Sequence, residues 1–120
     1  MAINVGRSPQ DRHLVDGLVG TISSVFPSVY VMDIPDTFNT MIYATAQPTT
    51  LDNLYQNYVS IQARQDVHPL LKATLERLIV NMRETPASDT VFTDDWAPIE
   101  WITNQMVLNF LTVSELEETK

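Results

Sequence analysis

The stretch AINVGRSPQDRHLVDGLVGTISSVFPSVYVMDIPDTFNTMIYATA, residues 2–46, decides the fold. Its opening, Ala2 to Gly6, is short, apolar and partly β-branched, which predicts the tail of a strand. Ser8-Pro9-Gln10-Asp11 then predicts a helix start: Ser8 as the cap, Pro9 at the first helical position and Asp11 in the first turn. Leu14, Val15, Leu18, Val19, Ile22, Val25 and Phe26 follow as one apolar stripe at helical spacing. Gly17 and Gly20 each cost this helix about 1 kcal/mol relative to alanine, a cost compatible with close packing on a sheet. Pro27 ends the helix, Ser28 to Ile34 reads as a second strand, and Thr40 to Ala46 as a third. The turn-rich Pro35–Asn39 between them predicts an antiparallel hairpin. A strand, a helix and a further strand predict a parallel crossover. The expected sheet is therefore small, three-stranded and mixed.

The remainder reads as helical, giving about four helices in all. Leu51, Leu54, Tyr55, Tyr58 and Ile61 share a face behind a cap at Thr49 or Thr50. Pro69 opens a longer helix with Leu71, Leu75, Leu78, Ile79 and Met82 on one side, and residues 86–89 form a loop. Pro98 opens the last helix, where Ile99, Ile102, Met106, Phe110 and Leu111 share a face. The organisation expected is one α/β domain over residues 1–114 with a polar tail over 115–120.

Composition narrows the function. A chain of 120 residues, 44% hydrophobic and 18% charged, is globular and allows one domain. With no cysteine it forms neither disulfides nor thiolate metal sites, which suits a reducing compartment, and a cytoplasmic location is expected. No apolar run is long enough to insert this segment in a membrane. The net charge is −8 and the arginines are scattered, which argues against a nucleic-acid partner. There is no glycine-rich phosphate loop and no nucleophile elbow, and the two histidines, His13 and His68, stand at separate helix starts. No residue is assigned a catalytic, cofactor-binding or metal-ligating role. Ser8, Asp11 and His13 lie near one helix start, where capping and solvent exposure explain them.

One further stretch has chemical potential: VFTDDWAPIEWITNQ, residues 91–105. Asp94 and Asp95 precede a helix with Glu100 in its first turn, so they are explained as anions near a helix dipole, worth about 0.3–1 kcal/mol each. Alternatively one of them binds a ligand at the mouth of a cleft walled by Trp96.

Two stretches together resemble the spermidine synthase-like family, which is related to S-adenosylmethionine-dependent methyltransferases. Residues 2–47 are similar to its later part: a strand ending in a substrate-facing loop, a helix leading to FPSV, then a strand that turns through a proline-containing loop into a final strand. TDDWAPIEW, residues 93–101, is similar to a signature near the C-terminus of bacterial members. The resemblance implies the C-terminal half of a Rossmann-like methyltransferase fold, starting at about the fifth of seven strands. It implies transfer from S-adenosylmethionine or its decarboxylated form, with the donor loop and the catalytic aspartate in a preceding segment. The substrate-binding candidates are then Asn4 and Arg7, in the loop after the first strand, and Asp94, Asp95 and Trp96. Polyamine-using members carry a tyrosine in the hairpin loop, where this chain has Pro35-Asp36-Thr37-Phe38, which argues against a polyamine acceptor. A half-fold of this kind exposes a sheet edge and face, so a homodimer or larger homo-oligomer is expected. The competing expectation is a free-standing, non-enzymatic module that self-associates. A small-acid or metal-binding regulator is a third, resting on the net charge alone.

Overall fold

A computed structural model describes residues 1–85, 90–93 and 99–118, the last four as backbone only. The elements run β1 (Ala2–Gly6), α1 (His13–Ser23), β2 (Ser28–Asp33), β3 (Asn39–Thr45), α2 (Leu51–Gln62), α3 (Pro69–Asn81), β4 (Met82–Glu84) and α4 (Ile99–Glu118). The chain is thus α/β, with four helices and a four-stranded sheet among the described residues.

The sheet departs from expectation in order and direction. It runs β1-β3-β2-β4, and every neighbouring pair is antiparallel. β1 and β2 do point the same way across α1, but β3 lies between them, so the expected parallel pair is not formed. The hairpin explains this. The short connection at residues 34–38 fixes β3 beside β2, and the other edge of β3 accepts β1 in an antiparallel ladder, which is slightly more stable per residue than a parallel one. Asp36, in the hairpin loop, has φ 60°, a left-handed conformation that aspartate tolerates better than most residues. The fourth strand was not expected: Met82, assigned from its spacing to the helix face, instead leaves α3 in extended conformation and pairs with Met32 on the free edge of β2.

Alternation sorts the sheet into two faces. Val5, Val29, Ile42 and Ala44 face α1 and pack with its Leu14, Val15, Val19 and Ile22. Tyr30 and Met32 point the other way and are buried along with Met82. α1 begins at His13 rather than near Pro9. Ser8 does not cap it: Ser8 and Asp11 exchange backbone hydrogen bonds of 3.3 and 3.4 Å, closing a tight loop. The carboxylate of Asp11 then accepts the backbone N–H of His13 at 3.0 Å.

Packing weakens away from this core. Thr50 caps α2 and His68 caps α3, with Pro69 at the first turn, yet neither helix contains a buried residue. The radius of gyration, 17.2 Å, exceeds the value of about 14 Å for a compact domain of this length. Among the described residues no helix is long and apolar enough to cross a membrane. Pro98 and residues 86–89 lie outside the described residues.

The distal chain returns to α1 at Phe92. Its N–H donates to the Thr21 hydroxyl at 2.7 Å, and that hydroxyl donates to the Gly17 carbonyl at 2.7 Å. The Phe92 ring fills the space beside Gly17, where an added Cβ would lie 2.1 Å from the ring. The close approach at Gly17 therefore serves Phe92 rather than the sheet. Gly17→Ala gains about 1 kcal/mol of helix propensity but forces an overpacked contact costing about 1–3 kcal/mol. Urea unfolding should show a net loss of about 1 kcal/mol; a gain in stability would show that Phe92 is not seated on Gly17.

Candidate functional site

β1 and β2 end on the same side of the sheet, and β3 begins there. Thr40 is the residue all three share, opposite Val5 on one side and Asp33 on the other. It is fully buried, so its hydroxyl needs partners from the protein. Arg7 Nε donates to Thr40 Oγ1 at 2.9 Å, and Thr40 Oγ1 donates to Asp33 Oδ1 at 2.6 Å. The Arg7 backbone is held as well, its N–H donating to the Phe38 carbonyl at 2.8 Å.

Asp33 receives a second guanidinium. Arg12, at the start of α1, donates from Nη1 to Asp33 Oδ2 at 2.8 Å and from Nη2 to Oδ1 at 3.1 Å, a two-pronged contact. Arg7 Nε stands 3.3 Å from Oδ1. Partial burial pushes the Asp33 carboxyl upward, but the hydrogen bonds from Arg12 and Thr40 and the charges of Arg12 and Arg7 outweigh it, leaving it below its ordinary value. A carboxylate so stabilised is a weak base. Asp33 holds the two arginines in place rather than taking a proton from a substrate.

Beside the cluster, His13 Nδ1 lies 2.8 Å from Asp11 Oδ1. Asp11 and Ser8 are buried, against the expectation of solvent exposure, whereas the His13 side chain is 83% exposed. Among the described residues no three His, Asp or Glu side chains gather to hold a metal ion.

The five candidates named from sequence fare differently. Arg7 lies at the centre of the cluster. Asn4 is exposed on β1 opposite Met41, on the sheet face away from Thr40 and Arg7, so the two do not converge. Asp94, Asp95 and Trp96 lie outside the described residues. Sequence reasoning gave no role in this cluster to Arg12, Asp33 or Thr40. Arg12 and Thr40 are 28 positions apart, and Thr40 joins Arg7 to Asp33 because β3 enters between β1 and β2.

Among the described residues, two clefts lie elsewhere. One, of about 310 Å³, opens at the amino end of β2 among Ser28, Tyr30, Thr49 and Glu84. Its Tyr30 and Thr49 hydroxyls are already hydrogen-bonded to each other at 2.9 Å. The other, of about 240 Å³, lies between α2 and α3 and is lined by Leu54, Tyr55, Leu78 and Met82. No family profile, no curated protein and no solved structure matches this chain.

The lowered Asp33 value fixes a pH dependence. Because the folded value lies below the ordinary 3.8, the ionised group contributes stability above that pH and loses it as the pH falls through the folded value. The stability difference between the wild type and Asp33→Asn should therefore be constant near neutrality and shrink below pH 3.8. Chemical unfolding at a series of pH values measures it, and a difference unchanged down to full protonation would contradict the assignment.

Proposed function

We propose that this chain is the C-terminal part of a spermidine synthase-like transferase of methyltransferase fold, where it forms an acceptor-side wall of the active-site cleft. The observation that carries this is the position of Arg7, Arg12 and Asp33 at the carboxyl ends of β1 and β2, the two strands that point the same way across α1. In the larger, mostly parallel sheet that the resemblance implies, this is the end that binds ligands. The order strand, helix, strand, hairpin in β1-α1-β2-β3 agrees with the order the resemblance implies. So does the edge position of β1, which leaves one side for the remaining strands of a larger sheet.

The residues here do not fit a sulfonium donor. The three glycines, Gly6, Gly17 and Gly20, are dispersed, and the space at Gly17 is filled by Phe92. S-adenosylmethionine or its decarboxylated form is accordingly assigned to another segment of a cytoplasmic parent, and the isolated chain is expected to be inactive. Its contribution is orientation of the acceptor, which lowers a barrier by positioning alone.

A second assignment, a non-enzymatic module that self-associates as a homodimer or larger assembly, is favoured by a specific feature. Trp101, Leu108 and Leu111 of α4 are 65%, 54% and 52% exposed, and Leu70 and Val80 of α3 are 69% and 61% exposed. Exposed apolar side chains on two helices suit a protein contact where they adjoin. The same surfaces suit contact with a missing half-domain, so they do not displace the first assignment.

The genomic reading frame upstream of the Met1 codon tests the transferase assignment. An in-frame strand, glycine-rich loop and acidic catalytic segment are expected there. A stop codon in frame before any of these would overturn the assignment and leave the self-associating module.

A further inference from the structure

Arg7 and Arg12 share one carboxylate but are used differently. Arg12 places both terminal nitrogens on Asp33. Arg7 is gripped through Nε alone, by Thr40 and Asp33. Among the described residues nothing accepts a hydrogen bond from Nη1 or Nη2 of Arg7. None of the described buried side-chain nitrogens or oxygens lacks a partner, so neither atom is fully enclosed, although the side chain as a whole is only 13% exposed.

The result is a guanidinium with a fixed root and a fork that none of the described residues pairs. A flexible surface arginine loses side-chain entropy when it binds a ligand. The grip on Nε and the backbone bond to Phe38 have already removed much of that freedom. The N–H groups of Nη1 and Nη2 lie in one plane at the spacing that suits the two oxygens of a carboxylate. Phe38, whose carbonyl holds the Arg7 backbone, is 54% exposed and fixed by an edge-on contact with Phe110 at 5.2 Å. Asp33 is already engaged by both arginines, and Asp11 by His13.

We propose that Nη1 and Nη2 of Arg7 bind the carboxylate of a small-molecule ligand. Its identification with the transferase acceptor rests on the assignment made above; the binding itself does not. An acceptor of this class is an acid rather than a polyamine, since a polycation would meet a guanidinium at the mouth of the site.

Titration of the 120-residue chain with succinate, followed through the Arg7 Nε–H resonance and the Phe38 and Thr40 amide resonances in two-dimensional NMR, tests this. Saturable shifts confined to those groups are expected. Arg7→Lys, which keeps the charge and loses the fork, should bind about tenfold more weakly, the loss that follows from removing a charge-assisted hydrogen bond. Should that variant not fold, the location of the wild-type shifts decides alone. Absence of saturable shifts at these groups, an equal response to inorganic phosphate, or binding of spermidine in place of succinate would overturn the proposal. No donor and no other segment enters the titration, so its failure leaves the transferase assignment to the reading-frame test, and an in-frame stop codon leaves the carboxylate site standing.

Discussion

The buried hydroxyl of Thr40 is the constraint on which the carboxyl end of the sheet depends. A hydroxyl removed from water costs about 1–3 kcal/mol if it lacks a partner. Thr40 has two, one from each flanking segment, because β3 is inserted between β1 and β2. Placed at an edge, β3 would have Asp33 or Arg7 beside it but not both. The same bonds bring Asp33 and Arg7 within 3.3 Å, and Asp33 in turn draws Arg12 from the start of α1. Strand order, an ionised carboxylate and the entry to α1 are thus set at one point.

Much of the first half was legible because its signals are local. The stripe from Leu14 to Ile22 gives α1, and the two β-branched runs about the Pro35–Asn39 turn give the hairpin. What the sequence did not reveal depends on contacts between distant residues. A strand-helix-strand order is compatible with adjacent parallel strands or with strands separated by a third, and only the pairing of β1 with β3 decides between them. Met82 continues the spacing of α3, yet the free edge of β2 offers it a ladder and a buried neighbour, and tertiary pairing overrides helical periodicity. The late start of α1 has a similar origin. Ser8 and Pro9 form a sound cap by composition, but the Ser8–Asp11 loop satisfies those groups first. Of the cluster, only Arg7 was named from the sequence, as a candidate that the resemblance implies. Arg12, Asp33 and Thr40 were not, since nothing in their spacing links them.

The distribution of burial joins fold to function. The sheet and α1 form a tight core reinforced by Phe92, whereas α2 and α3 bury no residue and α4 contributes Met106 with partial cover from Ile102. Amphipathic helices gain most of their stability from packing rather than propensity. Helices with much of their apolar surface uncovered are therefore suited to a further partner, whether the rest of a larger domain or a second copy. The bonds of the Arg7 cluster do not use that cover, because they are made between β2, β3 and the segment that joins β1 to α1.

A double-mutant cycle on Thr40→Val and Asp33→Ala, measured by urea unfolding, tests most directly whether this network couples the strands. The pair in direct hydrogen-bond contact should show an interaction energy of about 1 kcal/mol or more. Additivity to within about 0.3–0.5 kcal/mol would contradict the coupling, leaving Thr40 a buried residue like its neighbours and Arg7 without its fixed root.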